Sequence, residues 1–87
     1  MYYVYILRMC NNQFYTGFTK DLRTRVKAHN SGKVKSTKLR RPLELIHYEA
    51  YKFESDARRR EKYLKSSEGK KFLRQQIRDY LEFIKEG

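Results

Sequence analysis

Cysteine, proline, glycine and tryptophan are scarce in this chain of 87 residues. There is one cysteine, one proline, four glycines and no tryptophan. A lone Cys10 excludes an internal disulfide framework, and no second cysteine stands near it to hold zinc. Its expected role is that of a small filler at the end of a strand. The single proline and four glycines leave no room for a Pro- or Gly-rich linker, and the chain reads as one domain spanning 1–87. Long apolar runs are also missing. The run Tyr2 to Leu7 is too short for a signal peptide or membrane span, and no basic segment precedes it. The expectation is a cytoplasmic protein.

Acidic residues are the other shortage. Ten stand against 21 lysines and arginines, for a net charge of +11. That excess predicts a polyanionic partner, with nucleic acid, DNA foremost, ahead of an anionic membrane. A membrane partner fits less well because the cations are spread over helices and a loop, not gathered on one long amphipathic face. What the chain has in quantity is tyrosine and phenylalanine, eight and five. A chain this short buries only about 60–65% of its unfolded surface, so large rings must do much of the core filling.

Tyr2 to Arg8 reads as a strand with apolar residues on both faces, hence covered on both sides. Asn11-Asn12 supplies turn chemistry, and Gln13 to Phe18 returns as a second strand. Gly17 within it marks either a bulge or a close approach. Thr19 is placed to cap a helix from Lys20 to Asn30, with Asp21 in its first turn and Ser31-Gly32 at its end. At roughly 100° per residue, Leu22, Arg25, Val26 and His29 share one face of it. Arg25 and His29 therefore lie in the stripe that should meet the sheet.

Lys33 to Arg41 is a basic connector without an acid, closed by Pro42. Lys35, Lys38, Arg40 and Arg41 make it a candidate phosphate-contacting loop, the alternative being a mobile solvated one. Leu43 to Tyr51 alternates as a third strand, with the face of Ile46 directed to the core and His47 an ordinary surface or satisfied histidine. Ser55 can cap a helix from Asp56 to Lys65. Glu61 is its odd residue: a carboxylate inside the apolar stripe, flanked by Arg58, Arg59, Arg60 and Lys62. Such a group must be paired or metal-bound, because burying it alone is expensive. A salt bridge to Arg25, Arg60 or a lysine and a metal site are both open on this reading. After Ser66 to Gly69, a last helix from Lys70 to Lys85 carries a core-covering stripe. The fold class is α+β: a three-stranded, mostly antiparallel sheet flanked by helices in the order β-β-α-β-α-α.

Tyr3-Val4-Tyr5, Tyr15-Thr16-Gly17, Thr19, Arg25, His29-Asn30 and Glu61 stand in an order that resembles the GIY-YIG nuclease superfamily, over about residues 2 to 66. The compact form is similar to its small bacterial (UPF0213-like) members, with a C-terminal packing helix at about 70–85. The resemblance implies a metal-dependent endonuclease with one divalent ion, Mg²⁺ or Mn²⁺. It implies Glu61 as the metal ligand, Arg25 at the phosphate, Tyr15 helping to activate water, and Tyr5 and His29 orienting water and phosphate. The chain departs from the pattern at several points. Tyr3 replaces the first glycine, Val4 and Thr16 replace isoleucines, and Phe18 stands where some members place a lysine. No asparagine follows Asn30. Activity would be unspecific, structure-selective or directed by a protein partner; a monomer is expected. Two other readings compete. One is a non-catalytic nucleic-acid-binding module on the same scaffold. The other is an aromatic sheet that stacks single-stranded bases, which needs Tyr3 or Tyr5 on an open face.

Overall fold

The computed structural model describes residues 1–86. Strands β1 (Tyr2–Arg8), β2 (Phe14–Thr19) and β3 (Glu44–Tyr51) form an antiparallel sheet in the order β2-β1-β3. Helix α1 (Leu22–Asn30) follows β2. A 3-10 turn (Lys38–Arg40) precedes β3, and α2 (Glu54–Lys65), α3 (Ser67–Gln76) and α4 (Arg78–Glu86) complete the described chain.

The central strand explains the layering. Val4 and Ile6 pack with Ala57 and Leu64 of α2 and Leu73 of α3. Tyr5 and Leu7, on the other face, pack with Leu43 and with Leu22 and Val26 of α1. Both faces of β1 from Val4 to Leu7 are buried, as its two-sided apolarity requires. The β1–β2 hairpin turns through Asn12 at φ 67°, a left-handed position that asparagine tolerates.

Several boundaries differ from the sequence expectation. Asp21, not Thr19, caps α1: its carboxylate accepts from the Thr24 N–H (3.2 Å) and the Thr24 hydroxyl (2.8 Å). A charged acceptor makes the stronger cap, so the helix starts two residues later than expected. Helix α2 begins at Glu54, with Phe53 at its N-cap and no side-chain cap, so Ser55 lies inside the first turn. Cys10 is exposed in the hairpin turn and fills nothing; its N–H instead donates to the Arg40 carbonyl (2.9 Å) and docks the connector.

The expected last helix is two helices. Ser66 caps α3 through the Gly69 N–H (3.1 Å), and the chain bends at Ile77. The bend keeps Ile77 on the α2–α3 core while Tyr80 reaches Arg8 (3.2 Å) and Glu44 (2.5 Å) at the other end of the sheet. Strand β3 also breaks its alternation. A bulge sets Leu45 opposite Leu7 but His47 opposite Ile6, with Ile46 inserted between. Ile46 packs on the α2 side as expected, but Tyr48 and Ala50 do not follow it. Both are exposed, while His47, Glu49 and Tyr51 turn towards α2.

Candidate active site

Gly17 resolves its own ambiguity. It lies directly opposite Tyr5 in a β1–β2 register without a shift, so it marks no bulge. A side chain there would collide with the Tyr5 ring and hydroxyl. Glycine lets the Tyr5 ring lie across β2, the edge strand, and carry its hydroxyl to where α1 passes.

Three side chains meet that hydroxyl in a line. Arg25 Nε donates to Tyr5 Oη at 3.3 Å. Tyr5 Oη lies 2.9 Å from His29 Nε2, and His29 Nδ1 lies 2.7 Å from Thr37 Oγ1. The polarity follows from the one member with no acceptor. Arginine only donates, so Tyr5 accepts from it, and the phenol proton is left with His29 Nε2 as its acceptor. His29 then carries its proton on Nδ1 and donates to Thr37, whose hydroxyl points at the Val34 carbonyl 3.5 Å away. Tyr5, His29 and Thr37 are fully buried. Burial, and then the Arg25 cation, lower the His29 pKa to about 4, so the imidazole is neutral at pH 7. Burial raises the Tyr5 pKa despite the hydrogen bond from Arg25, so the phenol stays protonated.

Tyr15 borders this line on the edge strand. Its ring stands edge-on to His29 (centroids 5.1 Å apart) and 6.3 Å from Tyr5, and its phenol is close enough to stabilise the Arg25 cation. Glu61 lies on the sheet-facing stripe of α2, between the buried Ala57 and Leu64, and its charge reaches the Tyr5 phenol. The Glu61 side chain is 16% exposed. Its ion-pair partners are Lys65 at 3.0 Å and Arg58 at 3.9 Å, both more than half exposed. Of the partners weighed from sequence, a lysine holds it; Arg25 is committed to Tyr5, and Arg60 to Glu49.

The structure therefore gathers Tyr5, Tyr15, Arg25 and His29; Glu61 stands apart on α2 and is linked to them by the reach of its charge to Tyr5. His29 is fully buried behind Tyr5, and its two ring nitrogens meet Tyr5 and Thr37. Lys35, Lys38, Arg40 and Arg41 are exposed on the connector. That connector is pinned, not loose. Val34 and Thr37 are buried, and the Asn30 side chain both donates to the Leu43 carbonyl (3.1 Å) and accepts from the Leu43 N–H (2.9 Å). Sequence reading missed Thr37. A threonine in a basic loop has no periodic signal, although its position eight residues after His29 is fixed by the same connector.

Among the described residues no group of three His, Cys, Asp or Glu side chains could cage a metal. The donor set at this site is one carboxylate. That suits a hard cation completed by water and substrate oxygens and does not suit zinc.

A hairpin with tyrosines over a glycine, an inward-facing arginine and histidine on the next helix, and a glutamate on the helix after β3 define a family. The chain belongs to the GIY-YIG catalytic-domain family, a nuclease family, which it matches over residues 1–75. It is 41% identical over 87 residues to a UPF0213 protein of Staphylococcus epidermidis, covering 99% of this chain and 96% of that protein. It is 40% identical over 74 residues to a UPF0213 protein of Staphylococcus aureus, covering 84% and 90%. Among solved structures it resembles the solution NMR structure of a UPF0213 protein from Bacillus halodurans, with a TM-score of 0.54 at 39% identity, covering 84% of this chain and 82% of that one.

Proposed function

We propose that the protein is a metal-dependent endonuclease that hydrolyses phosphodiester bonds in DNA or a related nucleic acid. The observation that carries this reading is the state of Arg25. Its Nε is held by Tyr5 and the Tyr15 phenol stands beside it, and an arginine anchored in this way offers its remaining N–H groups to phosphate oxygens in the forked geometry it favours. Phosphoryl charge that develops during attack falls on a donor already fixed in place.

On this reading the water's proton passes to Tyr15 as a phenolate, the phenol's own proton having gone to solvent before the attack. The alternative acceptor, Tyr5 handing its proton to His29, would create an imidazolium whose pKa is about 4 beside the Arg25 cation. Relative to an unperturbed histidine that costs about 3 kcal/mol. Tyr5, His29 and Thr37 therefore act by positioning Arg25. Glu61 would hold Mg²⁺ or Mn²⁺, which when bound stabilises charge on the phosphate and the leaving oxygen. The net charge of +11 and the cations of the connector suit a nucleic-acid partner. A monomer is the arrangement we favour, with a protein partner as one route to its substrate.

One observation favours a second reading, a binding module that does not cut: Glu61 is ion-paired in the absence of substrate. Pairs of this kind, to exposed cations three or four residues away on one helix, are worth only about 0.3–0.5 kcal/mol. A divalent ion displaces them readily, so they do not decide against catalysis. Incubation with supercoiled, linear and branched DNA and Mg²⁺ or Mn²⁺, beside an EDTA control, tests the proposal. Metal-dependent cleavage is expected. Tight DNA binding without cleavage under every condition would favour the binding module.

A further inference from the structure

Helix α1 covers only part of the sheet face that carries the site. Towards β3 it leaves an open slot of about 580 Å³ between α1 and the sheet. Two tyrosines wall it: Tyr3 and Tyr48 stand edge to face with centroids 6.2 Å apart. Leu45 and Val26 line its apolar part, and Lys20 and Arg23 stand at it from the start of α1. Tyr48 is 53% exposed, on a strand whose bulge turned it away from the α2 core.

The chemistry of the slot selects its occupant. A large aromatic surface with apolar lining takes a flat, largely uncharged ring, and two cations beside it take a phosphate. Among the described residues, neither Lys20 nor Arg23 has an ion-pair partner within 4.0 Å. The one acid at the slot, Asp21, spends its hydrogen bonds on Thr24, whose N–H and hydroxyl hold its carboxyl below the usual range with a smaller contribution from the Arg23 charge. A base inside a duplex is stacked on its neighbours and cannot enter a slot between helix and sheet; an unpaired base can. The slot also adjoins the site. Tyr3 and Tyr5 lie on the same face of β1, about 7 Å apart along the strand, and Tyr48 is the β3 partner of Tyr5.

We infer that the Tyr3–Tyr48 slot binds an unpaired nucleotide next to the scissile phosphate, with the base against the two tyrosines and its phosphate on Lys20 and Arg23. The inference rests on the nuclease reading and narrows it, because the preferred substrate is then single-stranded or carries a flap, fork or loop. The reading of strand one as covered on both sides holds for Val4 to Leu7 and fails at Tyr3.

The test measures affinity for a single-stranded oligonucleotide and for a duplex, with metal withheld so that nothing is cut. Tyr48→Ala should weaken single-strand binding about tenfold, within the 1–3 kcal/mol measured for loss of one stacked base, and duplex binding by less than about twofold. Tyr48→Phe should keep the single-strand affinity. Photo-crosslinking of iodouracil-substituted single strands should label Tyr3 or Tyr48. Equal losses on both ligands, no loss on either, or crosslinks confined to other residues would overturn the slot while leaving the nuclease reading standing. No binding of any nucleic acid by the unaltered protein would overturn both.

Discussion

The sheet carries a polar cluster on each face, and the two are built from the same residue types. On the α1 face stand Arg25, Tyr5 and His29, with the charge of Glu61 reaching Tyr5 from α2; on the α2 face Arg60, Tyr51 and His47 surround Glu49. The difference lies in where the arginine and carboxylate spend their bonds. Glu49 receives Arg60 Nε at 2.9 Å and a second guanidinium nitrogen at 3.3 Å, with Tyr51 Oη at 2.6 Å and His47 Nε2 at 3.0 Å. Burial works to raise its pKa, but those hydrogen bonds outweigh it and hold the carboxyl below the ordinary value. Tyr51 is pushed up to about 12 by burial and by the same carboxylate. Arg60 is further covered by the rings of Tyr63 and Phe72. That cluster is saturated, and a saturated cluster holds a fold together. In the other, arginine and glutamate do not meet. Arg25 is held by tyrosine hydroxyls and, among the described residues, has no carboxylate partner within 4.0 Å, and Glu61 is held only by exposed side chains of its own helix. An arginine without a carboxylate and a carboxylate held only weakly are what a phosphate and a cation need.

The contrast breaks most visibly at the arginines. Arg25→Ala should lower cleavage by about a hundredfold or more, as loss of a charge-stabilising donor does elsewhere. Denaturant unfolding should show the fold intact; a collapse of the fold would make Arg25 structural. Arg60→Ala should do the reverse. It leaves Glu49 half-buried without its main partner, and a loss of about 2–3 kcal/mol is expected with cleavage per folded molecule retained.

Acid should sharpen the contrast. His29 has a pKa below its unfolded value, so the native state binds its proton less well than the unfolded chain does. Stability from this group is complete above pH 6.5 and falls as pH drops towards about 4, by about 3 kcal/mol in all. Urea unfolding at pH 7 and pH 4.5 measures it, and His29→Gln should remove that part of the slope. Thr37→Val, which leaves the His29 N–H buried without an acceptor, should cost about 1–3 kcal/mol and slow cleavage by misplacing Arg25 through Tyr5.

The smallest effect belongs to the surface. Replacing Lys35, Lys38, Arg40 and Arg41 with alanine should lower the salt slope of DNA binding by about three to four if each meets one phosphate. An unchanged slope would remove the connector from the interface.

The open cluster was far more legible than the closed one. Arg25 and His29 stood out because charged and titratable groups in an inward stripe violate amphipathic patterning, and Glu61 because it was an acid among cations in such a stripe. Gly17 was legible as a demand for space, though only Tyr5 opposite it shows which demand. Glu49 gave no such signal. It looked like one polar position in an alternating strand, because the bulge that turns it towards Arg60 is a two-against-one pairing that depends on β1. Thr37 was hidden for a related reason, since its partner is brought by the path of the connector and not by spacing. The bend at Ile77 has no glycine or proline to announce it and follows from tertiary contacts of Tyr80.

The most direct measurement compares Glu61→Gln with Glu49→Gln in parallel, by metal-dependent DNA cleavage and by denaturant unfolding. The account predicts that Glu61→Gln abolishes cleavage and changes stability by less than about 0.5 kcal/mol. Glu49→Gln should lose stability and keep its cleavage rate per folded molecule. If Glu61→Gln cuts normally, or if the two carboxylates exchange these roles, the assignment of the open cluster as the catalytic one is wrong.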